Sequence, residues 1–163
     1  PFEFDVNVGA ALPMGDIGDV SGTGFAIGAD GFLFTVDSLP QLKIGGRIAY
    51  NKFGEKEYGW GWGSKAKSNI SILEIVPTVR YMLPSSGNLG FFGQAGVGLF
   101  HKSVSVDIPT WGESSDSETD FGITLGGGVT FTAGGFKLVA MPLLHLCGDT
   151  YLNVNVGVLF GGE

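Results

Sequence analysis

The stretch Leu152-Asn153-Val154-Asn155-Val156-Gly157-Val158-Leu159-Phe160 sets Leu152, Val154, Val156, Val158 and Phe160 on one face. Tyr151, Asn153, Asn155 and Gly157 fall on the other. Alternation of this length marks a β-strand with two unlike faces. The same parity recurs upstream. Phe2, Phe4, Val6, Val8, Ala10 and Leu12 oppose Glu3, Asp5, Asn7, Gly9 and Ala11. Leu42, Ile44, Gly46, Ile48 and Tyr50 oppose Lys43, Gly45, Arg47, Ala49 and Asn51. Phe121, Ile123, Leu125, Gly127, Val129 and Phe131 oppose Gly122, Thr124, Gly126, Gly128 and Thr130. No stretch sustains the three-and-four spacing of an amphipathic helix.

Four further segments alternate less cleanly. Thr23 to Val36 starts with Phe25, Ile27 and Ala29 opposite Gly28 and Asp30, then blurs at Phe32 and Phe34. Asn69 to Leu83 shifts parity between Ile72 and Leu73, which predicts a bulge there. Beyond that point Ile75, Pro77, Val79 and Tyr81 oppose Glu74, Thr78 and Arg80. Leu89 to Lys102 carries Gln94, Gly96 and Gly98 on its polar side, and Phe136 to Cys147 sets Lys137 and His145 opposite Leu138, Ala140, Pro142, Leu144 and Leu146. Eight strands result, each long enough for the roughly 9 to 11 residues that a bilayer-spanning strand needs. Tight links at Asp37 to Pro40, Pro84 to Asn88 and Ala133 to Gly135 alternate with links at Pro13 to Gly22, Gly54 to Lys67 and Ser103 to Thr119. Gly148 to Thr150, also in the second set, is short. Long links gathered on one rim of an up-and-down meander fit an outer-membrane barrel. The expectation is an all-β, eight-stranded antiparallel up-and-down barrel of transmembrane type, forming a single domain over residues 1–163.

Composition excludes several other classes. Of 163 residues, 44% are hydrophobic and 15% charged, a low charge share against roughly 25% in soluble domains. Mean hydropathy is +0.27, too apolar for a disordered acidic chain. A single Cys cannot form a disulfide within the chain. A membrane-spanning helix needs about 20 apolar residues, but the longest apolar run is Leu138 to Leu144, with Pro142 inside it. A formal net charge of -7 argues against nucleic acid as a partner. No charged-then-apolar leader opens the chain, which reads as mature or trimmed.

Alternation defines two faces without saying which points outward, and magnitudes decide that. The polar face carries four acids, Glu3, Asp5, Asp30 and Glu74, and four bases, Lys43, Arg47, Arg80 and Lys137. The rest is Asn, Thr, Gln, Gly and Ala. A water-facing surface carries far more charge than this, and glycine offers it little. Inside a narrow barrel the same set makes sense, because glycines leave room for long side chains and balanced charges can pair. The expectation is an apolar exterior facing lipid and a lumen plugged by an ion-pair network of those eight residues. Tyr50 and Tyr81, with Trp60 and Trp62 beyond, fit interfacial belts. Two rival arrangements are a soluble lipid carrier with the apolar set inside, and a self-assembling surface or extracellular barrel whose exterior neighbouring copies cover.

Two stretches carry a family likeness. Glu74-Ile75-Val76-Pro77-Thr78-Val79-Arg80-Tyr81 is a proline-bearing strand ending in Arg-Tyr, and Leu152 to Phe160 is similar to the aromatic-ended closing strand of outer-membrane barrels. With Phe2 to Pro13 as the opening strand, the chain resembles the eight-stranded OmpA, OmpX and opacity-protein barrels over nearly its whole length. Gly161, Gly162 and Glu163 follow the aromatic here. The resemblance implies an integral protein of a Gram-negative-type outer membrane, with long loops extracellular and termini periplasmic. It implies a structural or adhesive, surface-display role. A narrow channel is a further alternative.

Little in the chain points to catalysis. His145 and Cys147 share a strand face, but two ligands make a poor metal site. His101 lies near Asp and Ser residues without a fixed partner. Gly93, Gly96 and Gly98 precede no helix, so they do not form a phosphate loop. Glu3 and Asp5 are better read as ion-pair partners than as an acid-base couple. The expectation is no catalytic residue, metal or cofactor. Contact candidates lie in the long links: Trp60, Trp62 and Trp111, beside Glu55, Glu57, Asp107, Glu113, Asp116 and Glu118. Exposed aromatics beside acids suit a partner surface, a glycan or divalent cations.

Overall fold

The computed structural model describes residues 2–14, 22–54, 56–60, 64–84, 87–108, 112–148 and 150–161. Nine strands follow in chain order: β1 (Glu3–Met14), β2 (Gly22–Val36), β3 (Leu39–Gly54), β4 (Lys56–Trp60), β5 (Ser64–Leu83), β6 (Leu89–Ile108), β7 (Gly112–Ala133), β8 (Phe136–Leu146) and β9 (Thr150–Gly161). Every pairing is antiparallel, each strand beside its chain neighbour. β1 pairs with β9 along its length, and both β3 and β4 pair with β5. β4 therefore continues β3 past Glu55, and the sheet closes as an eight-stranded barrel. Closure leaves no edge along the wall, which is what a β structure in lipid requires.

Burial alternates residue by residue, and the charged set is inside. Arg47 and Arg80 are 1% and 0% exposed, whereas Val154 and Val156 are 45% and 57% exposed. The soluble-carrier arrangement, with the apolar set inward, is thereby excluded. On β1 the outward run from Phe2 to Leu12 spans ten steps, roughly 25 Å of barrel height at about 3.3 Å per residue and the usual strand tilt. This matches the apolar band of a membrane barrel. Lys52, Ser71, His101 and Thr119 continue the outward face just past the band, with Lys52 opposite Ser71 and His101 opposite Thr119. At the other end Phe4 stacks on Phe2 and Phe160, with centroids 5.4 and 5.0 Å apart.

Three sequence expectations need correction. No bulge separates Ile72 from Leu73: burial alternates without a break from Ile70 to Tyr81, and the β3–β5 register is continuous. Ile70 and Ile72 point inward, because the lumen at that end is apolar. The register shifts lie in β2 against β3 instead, one of them between Phe32 and Phe34. That shift explains the blurred parity, with Phe32 buried and Phe34 exposed. The second correction concerns the long links. β5 begins at Ser64, β6 runs to Ile108 and β7 starts at Gly112. Much of what read as loop is strand: Ser, Thr and charged residues dominate there and mask the short alternation of Val104, Val106 and Ile108 with Ser103, Ser105 and Asp107. Thirdly, the lumen is not ionic throughout, as described below.

β7 meets β8 only from Ile123 onward, while it stays paired to β6 as far as Gly112. The segments of β4, β5, β6 and β7 beyond the apolar band thus form a blade standing on one side of the barrel. The turns at the other end are tight, and Gly134 takes φ +62° in the β7–β8 hairpin, a conformation that L side chains resist.

Candidate functional site: the barrel lumen

Arg47 lies at the centre. Its Nε donates to Glu74 Oε1 at 2.7 Å and its Nη1 to Asp30 Oδ2 at 2.6 Å. Asn7 Nδ2 donates to the same Asp30 oxygen at 3.0 Å. Arg80 sits nearer the tight-turn end, where its Nη2 donates to Asp5 Oδ2 at 3.0 Å and its Nε to Gln94 Oε1 at 2.9 Å. Gln94 passes the chain on, donating to Asp30 Oδ1 at 3.0 Å. The Arg80 guanidinium lies between two phenyl faces, 4.5 Å from the Phe32 centroid and 4.3 Å from that of Phe92. Cation–π contact of this kind strengthens where water is excluded. At the turn-side mouth Lys43 pairs with Glu3.

The structure thus brings together seven of the eight residues named from sequence: Glu3, Asp5, Asp30, Lys43, Arg47, Glu74 and Arg80. Lys137 is not among them. It lies half-buried on the inner face of β8, opposite Leu159, and makes no ion pair among the described residues. Four carboxylates therefore face three cations. Neutral partners take up the remainder, and these the alternation pattern did not single out.

Glu74 shows how. Besides Arg47, it accepts from Tyr151 Oη at 2.6 Å and Asn51 Nδ2 at 3.1 Å. Asn153 Nδ2 donates to Asn51 Oδ1 at 2.9 Å, and His145 Nε2 to Asn153 Oδ1 at 2.6 Å. Since that amide oxygen only accepts, the Nε2 carries the proton. Nδ1 lies 3.1 Å from Thr124 Oγ1 and 3.5 Å from Glu74 Oε2. His145 also stacks on Tyr151, with centroids 4.4 Å apart. It is a fully partnered core histidine, and no group of three metal-ligating residues occurs among the described residues. Polar identity at Asn51, Tyr151 and Asn153 on an inward face was the available signal.

Beyond this network, toward the blade, the lumen turns apolar. Phe53, Ile70, Ile72, Phe100, Cys147 and Tyr151 form one buried cluster. On the wall facing Arg80, Phe92, Val139, Met141 and Leu143 form another. Glycines make the space. A Cβ on Gly122 would stand 2.7 Å from the Phe100 ring, one on Gly128 2.7 Å from Phe92, and one on Gly28 3.2 Å from Arg47 Nη2.

The barrel has known structural counterparts. Neisserial surface protein A is similar over 97% of this chain and 95% of its own, at TM-score 0.64 and 15% identity. A major outer membrane protein from Thermus thermophilus aligns over 98% and 99%, at TM-score 0.61 and 15% identity. This is the eight-stranded outer-membrane barrel fold. The Yersinia pestis attachment invasion locus protein Ail, solved with the heparin analogue sucrose octasulfate, shares the fold over 98% and 99% at TM-score 0.56 and 14% identity. No protein-family model and no curated protein matches the chain. The shared outer-membrane barrel fold says nothing by itself about role.

On this barrel the contact candidates are placed unevenly. Trp60 ends β4 as strand rather than loop, while Trp62, Trp111 and Glu55 lie outside the described residues. Glu57, Asp107, Glu113, Asp116 and Glu118 fall on blade strands. His101 faces outward at the root of the blade, its Nδ1 2.9 Å from Thr119 Oγ1.

Proposed function

We propose that the protein is an integral outer-membrane barrel of a Gram-negative-type bacterium with a structural or adhesive, surface-display role. The filled lumen acts as a strut, with its ion-pair network at mid-height, and the blade with its connections is the displayed surface. The observation that carries this reading is the orientation of the wall, with valine, isoleucine and phenylalanine outward all round and both arginines within. Lipid is the partner such a belt fits. The blade would then be extracellular and the termini periplasmic, because the extended end is the one free to reach other molecules. Trp60, Trp62 and Trp111 are the residues we assign to contact with a surface partner. A non-catalytic role agrees with a His145 whose ring nitrogens are both engaged in packing the core.

Fractionation of the native protein tests the reading. Recovery in the outer-membrane fraction, a need for detergent and heat-modifiable gel mobility are expected. Detergent-free solubility as ordered oligomers would favour instead a barrel whose belt is covered by copies of itself.

A further inference from the structure

The inner residues change character in a fixed order along the strands. On β3, Phe53 follows Asn51 toward the blade; on β5, Ile72 and Ile70 lie on the blade side of Glu74. On β6 the next large inward chain beyond Gln94 is Phe100, since Gly96 and Gly98 intervene. Cys147 lies beyond His145 at the end of β8, and Tyr151 lies beyond Asn153 on β9. These chains pack as a single buried cluster, which also takes in Ala11 and reaches past Glu74 to Val76 on β5. Gly122 on β7 yields its place to the Phe100 ring. The polar network therefore has an apolar plate across its blade-side end.

The buried polar atoms without a hydrogen-bond partner among the described residues all lie on the other side of that plate. They are Glu3 Oε1, Arg47 Nη2, Arg80 Nη1 and both polar atoms of the Asn155 amide, and of these Glu3 Oε1 and Arg80 Nη1 lie 3.7 Å apart as an ion pair. Such atoms are costly unless hydrated. Lys43 and Glu3 mark the mouth through which water reaches them, where Lys43 keeps part of its side chain in solvent. A polar throat admits water and ions readily, whereas a narrow apolar constriction bars them by dewetting.

We infer that the plate formed by Phe53, Ile70, Ile72 and Phe100, and not the ion-pair network, closes the lumen to ions. The lumen is a blind chamber wetted from the tight-turn end. Ile70, Ile72 and Phe100 sit at the roots of β5 and β6, the strands that continue into the blade. This inference rests on the membrane-barrel reading proposed above.

The test compares ion flux through the purified full chain in planar bilayers and in phospholipid vesicles. The variants are Phe53→Ala with Phe100→Ala, Ile70→Thr with Ile72→Thr, and Asp5→Asn with Arg80→Gln. The threonine pair wets the plate while keeping nearly its volume, so it serves if the alanine pair does not fold. Vesicle flotation and heat-modifiable mobility are checked first; a wild-type chain that fails to insert refutes the membrane reading itself. Among inserted proteins, the wild type and the Asp5/Arg80 variant are expected to stay closed. At least one plate variant is expected to raise flux by about an order of magnitude or more. A conducting wild type, a conducting Asp5/Arg80 variant, or plate variants that insert yet stay closed would each overturn the inference.

Discussion

The two faces of one strand answer to different rules. On β9, Val154 and Val156 point out, while Asn153 and Asn155 point in. The outward residues meet a fluid apolar surround, where any side chain of similar hydrophobicity serves. The inward residues meet fixed partners at fixed distances, so identity matters to the atom. Phe92 and Phe100 inside are as constrained as Arg47, because a glycine opposite each has been given up to fit it.

The largest effect separating the faces is expected at Arg80. Arg80→Ala removes the Asp5 pair, the Gln94 bond and the two ring contacts, leaving a buried carboxylate behind. A loss of about 3 to 5 kcal/mol is expected, measured by urea unfolding in vesicles. Asp5→Asn with Arg80→Gln, which leaves no uncompensated charge of that pair, should lose much less. Next comes the outer face under a change of class: Val156→Arg puts a charge into lipid and should cost about 2 to 4 kcal/mol in the same titration. Tyr151→Phe is a change of one oxygen inside. Losing its bond to Glu74 should cost about 1.5 to 3 kcal/mol. Gly122→Val, which pushes on Phe100, is expected at about 1 to 3 kcal/mol. Smallest of all, Val156→Leu should stay within about 0.5 kcal/mol. A Val156→Leu loss as large as that of Tyr151→Phe would erase the contrast between the faces.

Period-two spacing made the barrel wall legible, because inside and outside alternate with the backbone itself. The eight charged residues assigned to the inner face could be named for the same reason, and seven of them meet in the network. Lys137 could not be sorted from the others, since parity places a residue inside without saying how near a carboxylate lies. Ile70 and Ile72 misled for a related reason: an apolar residue on the inner face looks like a slip in register until the lumen is known to be apolar there. The blade was hidden because serine, threonine and charge dominate its strands, and β6 keeps only a short alternation there, at Val104, Val106 and Ile108.

Local alternation was enough to establish strands, their number and the class of each face, because a strand's pleat is set by adjacent residues. Which side chains meet across the lumen was decided only by closure. Tyr151 reaches Glu74 over 77 residues, and Asn153 reaches Asn51 over 102. Those meetings depend on the tilt and stagger with which the ring of strands closes, a property of all the pairings together that no single segment encodes.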